Sequence, residues 1–267
     1  MKQYLPHLTA SVNAKGVLEV DTYKGCPEGI AAHGKKGCYG LCYAASCAAF
    51  RGIDFNKGVS RKIRASEEQE SLFPVAGNGG SVNIAKLVRE HHLEWFRIGV
   101  NGDPSHDWPN TVEVCEWLGS FKIPVIVTKH WAEIPRYYFP LLKEVGTVFN
   151  TSISALDTDA ERKHRLNQFY RIRDAGFKSV LRIVTCKFGN TERGNMWNSI
   201  QSELLKIRPA IDNPLRIPKN DPRSIRGDII VTKRKDLNSE ISISINDNSV
   251  YIGHCNECPD QCGLFSV

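Results

Sequence analysis

Apolar, β-branched runs alternate with stretches of helical period through most of the chain, as expected of parallel strands joined by crossover helices. The pattern predicts strands at Val17–Tyr23, Phe96–Val100, Pro124–Thr128, Thr147–Ser154, Ser179–Thr185 and a shorter run, NPLRIP, around Leu215. Helices are expected after Cys42 and over Val82–Glu94, Thr111–Leu118, Ala132–Glu144, Asp159–Ala175 and Thr191–Ile207. Gly119 and Gly176 stand where two of them should stop. This is an α/β pattern, a barrel or doubly wound sheet over residues 1–222. Beyond Pro222 the runs DIIVTKR, EISISIND and NSVYIG, with Asn246-Asp247-Asn248 as a turn between the last two, predict antiparallel strands in a small extension, residues 223–267. The Gly-rich segment from Gly25 to Gly37 reads as a loop long enough to require a functional reason.

Composition sharpens this picture mainly by exclusion. A chain of 267 residues with 41% hydrophobic and 24% charged residues is that of an ordinary globular protein. No apolar run approaches the ~18 residues that cross a bilayer, and Met1–Ala10 has neither the basic flank nor the apolar region of an export signal. The expectation is a cytoplasmic protein with no membrane partner. Charge is uneven: Glu161–Lys235 carries 18 Lys and Arg against 7 Asp and Glu, whereas the whole chain nets +6. Such a stretch suits either a solvated helix face or a polyanionic partner such as nucleic acid.

Cysteine placement carries the candidate chemistry. Of nine cysteines, seven fall in two clusters, Cys26, Cys38, Cys42 and Cys47 near one end and Cys255, Cys258 and Cys262 at the other. With nothing directing export, metal binding is a better reading than a disulfide framework. Cys115 and Cys186 sit in apolar stretches and read as small buried hydrophobes. The first cluster follows the first predicted strand, and the loop leaving the C-terminal end of a barrel strand is where functional groups belong. The segment Cys255-Asn-Glu-Cys258-Pro-Asp-Gln-Cys262-Gly is compact and polar, the form of a metal-binding knuckle.

The segment Thr22-Tyr-Lys-Gly-Cys26-Pro, followed after a spacer by Gly37-Cys38-Tyr-Gly-Leu-Cys42-Tyr-Ala-Ala-Ser-Cys47, resembles the radical S-adenosylmethionine (SAM) superfamily. It is most similar to radical-SAM-like proteins common in bacteriophages, which show Cys-Pro, a variable spacer and Cys-x2–3-Cys-Tyr-Ala. The superfamily's usual Cys-x3-Cys-x2-Cys is not matched, because Cys47 follows Cys42 at x4. Two alignments stay open. The preferred one assigns the SAM cluster to Cys26, Cys38 and Cys42; the other uses Cys38, Cys42 and Cys47. The resemblance spans Val17–Thr185 and implies a partial (β/α)6 TIM-like barrel, a SAM-binding [4Fe–4S] cluster, and an electron donor such as flavodoxin or ferredoxin. It also implies SAM contacts at strand ends: Gly102, Asp103 and Ser105 after the second strand, Thr128 ending the third, Ser152 and Ser154 on the fourth, and Arg182 on the fifth. His33 and Tyr43 stand as supporting groups near the cluster. One cysteine left over from the first group would complete a four-thiolate site with Cys255, Cys258 and Cys262, an auxiliary [4Fe–4S] cluster or a zinc site in which His254 is another candidate ligand.

What the resemblance implies for function is reductive SAM cleavage to a 5′-deoxyadenosyl radical that abstracts a substrate hydrogen. Three classes are carried forward. The first is a radical enzyme that modifies or isomerises a nucleobase adduct in phage DNA or a nucleotide, acting in the host's cytoplasm if the chain is viral. The second is a radical enzyme acting on a peptide or small molecule. The third is a zinc-stabilised nucleic-acid-binding module without catalysis.

Overall fold

The computed structural model describes residues 7–64, 83–218, 220–233 and 241–265. Val82, Arg234 and Glu240, at the edges of expected elements, lie outside them, as do Lys219 and Lys235 of the basic stretch. The predicted alternation is realised as a seven-stranded, mostly parallel sheet. Its strands in spatial order are β1 (Ala10–Val12), β2 (Leu18–Val20), β5 (Trp95–Ile98), β6 (Ile123–Thr128), β7 (Val148–Ile153), β8 (Lys178–Ile183) and β10 (Ala210–Asp212). Only β1 runs antiparallel, paired with β2; from β2 onward each strand lies beside the next in sequence, and the sheet stays open between its two edges. That order is compatible with a partial barrel.

Local signals explain the crossover helices. α3 (Ile84–Glu90) starts at Asn83, whose side chain accepts from the Lys86 N–H. α4 (Trp108–Gly119) is capped by Asp107 and has Pro109 in its first turn, a position that lacks an intrahelical N–H bond anyway. α6 (Asp159–Asp174) has a complete capping box between Thr158 and Glu161, and α7 (Glu192–Leu204) is capped by Thr191. The expected helix from Ala132 is shorter: α5 covers Phe139–Glu144 behind a 3-10 turn at Arg136–Tyr138. Pro135 disfavours helical geometry in the residue before it and is itself extended, so the helix restarts at Phe139–Pro140.

Side-chain alternation divides the sheet into two faces. Leu18, Phe96, Ile98, Ile126 and Phe149 pack with α3, α4 and α5 in the main core. Val17, Trp95, Val125 and Val148 face the other way and pack against Cys262 and Leu264 from the C-terminal tail.

Two expectations are corrected. The sixth parallel strand is Ala210–Asp212, paired with β8, whereas Arg216–Pro218 of the NPLRIP run forms β11 in a separate antiparallel sheet, because Pro214 and Pro218 cannot donate to an interior ladder. The C-terminal strands are β12 (Ile229–Ile230), β13 (Thr232–Lys233) and β14 (Ile241–Ile243), and NSVYIG is irregular. β14 pairs with both β11 and β13, and β12 pairs with β9 (Lys187–Phe188), so strands after residue 222 are woven into the part before it. No described helix is long and apolar enough to cross a membrane.

Candidate functional site

After β2 the chain kinks at Asp21, whose buried carboxylate accepts from the Val100 and Asn101 N–H groups and from Asn101 Nδ2 at 3.0, 3.2 and 2.6 Å. It continues into β3 (Tyr23–Lys24), paired with β4 (Val59–Ser60), and reaches Cys26. The segment read as a long loop contains a helix, α1 (Pro27–His33), with Pro27 in its first turn. It then folds back through Cys38 and Cys42 into α2 (Tyr43–Phe50). Gly102 is needed for this route. A Cβ there would meet the Tyr23 and Gly25 carbonyl oxygens at 2.4 and 2.7 Å, so the glycine after β5 lets the cysteine segment cross directly over it.

The fold brings Cys26, Cys38 and Cys42 together. A Cβ on Gly29 would lie 2.6 Å from Cys26 Sγ and 3.7 Å from Cys38 Sγ, and one on Gly37 would lie 3.4 Å from Cys42 Sγ. Burial raises the Cys26 thiol well above its ordinary value, with Asp103, Cys38 and Cys42 adding to it, and burial pushes Cys38 up to about 11 despite Lys129 nearby. No group of three or more His, Cys, Asp or Glu among the described residues is close enough to share one metal ion.

Next to Cys26 lies a residue that sequence reasoning passed over. His106 Nε2 is 3.4 Å from Cys26 Sγ, its Nδ1 is 2.7 Å from Glu28 Oε2, and its ring packs on Tyr23 with centroids 4.9 Å apart. Its signal was available, since His106 follows Asn101–Ser105 by one residue.

On the other side the segment rests on a buried charge network. Tyr39, between Cys38 and Cys42, donates its hydroxyl to Asp157 at 2.5 Å and accepts from Lys129 Nζ at 2.6 Å. Asp157 also pairs with Arg165, both nearly inaccessible, and Arg165 stacks on Trp131 with its guanidinium 5.2 Å from the ring. His33 binds Glu161 at 2.8 Å, and Glu161 reaches Arg165. Burial alone would raise the Asp157 carboxyl, but Lys129, Arg165 and Tyr39 hold it below the ordinary carboxylate range. His33, expected beside the cluster, thus serves to fasten α1 to α6.

The expected SAM contacts divide. Asp103 is buried and accepts from Thr128 Oγ1 at 2.6 Å, the Lys129 N–H at 2.6 Å and the Ser105 N–H at 3.0 Å, so an ammonium would be a fourth partner for it. Burial would raise its carboxyl, yet His106 and these donors hold it low. Ser105 is buried and accepts from the Ala132 N–H. Ser154 donates to the Val184 carbonyl, again within the fold. Ser152 and Arg182 are paired across β7 and β8 on the face away from the helices, but Arg182 reaches Asn213 and Cys262.

Cys47 interacts with Tyr43, one turn earlier on α2, and α2 packs through Ala44, Ala45 and Ala48 with Cys26 and Trp131. Cys255, Cys258 and Cys262 lie at the opposite, N-terminal end of the strands: Cys262 is packed with Val17, Trp95 and Val148, and Cys255 donates its N–H to the Lys15 carbonyl. The structure therefore does not bring Cys47 to that group. Cys115 and Cys186 are core residues, as expected. On α6, Arg165 is buried against Asp157, Arg162 and Arg171 pair with the exposed Asp159 and Glu133, and Lys163 and Arg173 are exposed. No family model, curated protein or solved structure matches the chain.

Proposed function

We propose that the chain is a radical SAM iron–sulfur enzyme whose cluster would be held by Cys26, Cys38 and Cys42. The observation that carries this reading is the meeting of these three thiols at the C-terminal end of the first parallel strand, the end at which β/α barrels do their chemistry. Three protein thiolates leave one iron of a [4Fe–4S] cluster for SAM, and the pair when bound supplies a 5′-deoxyadenosyl radical that removes a substrate hydrogen.

The chain's own residues prepare that site. His106, oriented by Glu28 and Tyr23, is placed to donate N–H to the Cys26 sulfur, and Tyr39 ties the Cys38–Cys42 turn to Asp157. Asp103, through Thr128 and Lys129, fixes the ends of β5 and β6 against each other. Arg97, Asn150 and Arg182, on the sheet face away from the helices, are engaged by Glu19, the Cys262 carbonyl and Asn213, so they are held within the fold and do not name a substrate. With the arginines of α6 engaged by acids, nucleic acid draws no particular support as that substrate.

The test is anaerobic reconstitution with iron and sulfide, followed by assay for 5′-deoxyadenosine with SAM and a reductant. The wild type should be brown and form the product, while Cys38→Ala and Cys42→Ala should form none. Cys26→Ala should likewise lose the SAM-perturbed electron paramagnetic resonance signal, and Cys47→Ala should keep it. A colourless protein that takes up only zinc would end the reading; silence in Cys47→Ala but not in Cys26→Ala would transfer the cluster to the other alignment.

A further inference from the structure

The cysteine segment turns toward solvent a face that the fold leaves uncovered. α2 packs on one side only, where Ala44, Ala45 and Ala48 lie in a cluster with Cys26, Phe55 and the partly buried Cys42 and Trp131. Its outer side carries Tyr43, 68% exposed, and Phe50, 93% exposed. Seven residues make about two helical turns, so the two rings stand on one stripe, with Ser46 and Cys47 between them. The hydrophobic effect favours covering such a stripe, and exposed rings aligned on one helix mark a contact surface where scattered ones do not.

The charge around the stripe says what kind of partner covers it. Lys35 and Lys36 are exposed at its Tyr43 end, where the Cys42 N–H donates to the Lys36 carbonyl at 3.0 Å, and the exposed Arg51 caps α2 at the Phe50 end. None of these three cations is paired with a described acid, whereas the acids of the same segment are engaged, Glu28 by His106 and Asp54 by the Asn56 N–H. An apolar centre with positive ends complements an acidic protein surface. A second copy of the chain would bring these cations against their own kind. α2 is also the wall between this face and the thiols, and a helix is about 10 Å thick. A substrate that must touch the reacting atoms cannot reach them through that wall, but an electron can cross it.

We propose that the Tyr43–Phe50 face of α2, with Lys35, Lys36 and Arg51, docks a small acidic one-electron carrier protein that reduces the centre behind it. The inference rests on the radical SAM reading, in which each cleavage consumes one electron. The transfer balances without further reactants: the carrier is oxidised by one electron, the cluster takes that electron up, and no atom or proton crosses the interface.

The test gives the reconstituted full chain SAM and one of two reductants, dithionite, which needs no docking surface, or a reduced flavodoxin of acidic surface. Binding of the oxidised flavodoxin is measured in parallel by calorimetry at low and high salt. Phe50→Asp and Arg51→Glu should each weaken flavodoxin binding and slow flavodoxin-driven 5′-deoxyadenosine formation by about 10-fold, and salt should weaken binding to the wild type. Dithionite-driven formation in both variants should equal that of the wild type. Flavodoxin binding unchanged in both variants, or equal loss with both reductants, would overturn the proposal. So would a dimer in light scattering that Phe50→Asp dissociates, which would give the face to a second copy. No product from the wild type with dithionite would end the radical SAM reading, and the carrier with it, before flavodoxin is added.

Discussion

The two cysteine groups occupy opposite ends of the same parallel strands and are held by different means. Cys26, Cys38 and Cys42 lie on a segment that packs in a small apolar cluster with Ala44, Ala45, Ala48 and Phe55 and is tied to the sheet by polar anchors: His106 on one side, the Tyr39–Asp157–Arg165 network on the other. Cys255, Cys258 and Cys262 lie on a tail with a hydrophobic seat, through Cys262 and Leu264, and with Arg182 beside the Cys262 sulfur. A polar cradle can be tuned by single hydrogen bonds, whereas a packed plug resists any change of volume.

The largest effect should come from breaking the cradle's buried pair. Asp157→Ala leaves Arg165 charged, inaccessible and without its main acid, and should cost about 3–5 kcal/mol in denaturant unfolding. It should also release Tyr39 and lower the iron taken up on anaerobic reconstitution; iron uptake equal to wild type would remove the Tyr39–Asp157–Arg165 network from the support of the cysteine segment.

A smaller effect separates the two close approaches of backbone. Gly102→Ala forces a Cβ against two carbonyl oxygens under the cysteine segment, and Gly263→Ala forces one against Val180 in the mouth. Each should cost about 1–3 kcal/mol as overpacking. Only the first should reduce iron bound by Cys26, Cys38 and Cys42, measured after reconstitution.

The smallest effect is in acid. Glu161 would be raised by burial, but His33, the Thr158 N–H and hydroxyl and Arg165 hold it at about 2, below the unfolded value of 4.5. A depressed carboxyl stabilises the fold fully above the unfolded value and ceases to do so as pH falls through the folded one. The stability gap between wild type and Glu161→Gln should therefore be constant above about pH 5 and close as pH falls toward 2. A gap that widens in that range would remove Glu161 from the cradle.

The sequence by itself determined the alternation of strands and helices, because parallel strands are buried on both faces and read as apolar runs bounded by caps. Gly176 is the stop expected for α6, which ends at Asp174. It also set apart Cys115 and Cys186 as core residues, since a thiol inside an apolar periodic stretch has nowhere else to point. Only the tertiary structure decided which cysteines meet. Spacing treats Cys26 and Cys47 alike, but the return of the chain from α1 into α2 puts one beside Cys38 and turns the other toward Tyr43. Likewise the basic stretch, counted along the chain, suits either a solvated helix face or a polyanion. Folding places three of its arginines, Arg162, Arg165 and Arg171, against Asp159, Asp157 and Glu133, partners distant or local in sequence that no count of charges can pair. The sixth strand was misplaced for a related reason: NPLRIP and the Ala210–Asp212 segment are equally short, and only hydrogen bonding to β8 chooses between them. Local order is written in periodicity and caps, whereas contacts across the sheet depend on where the whole chain returns.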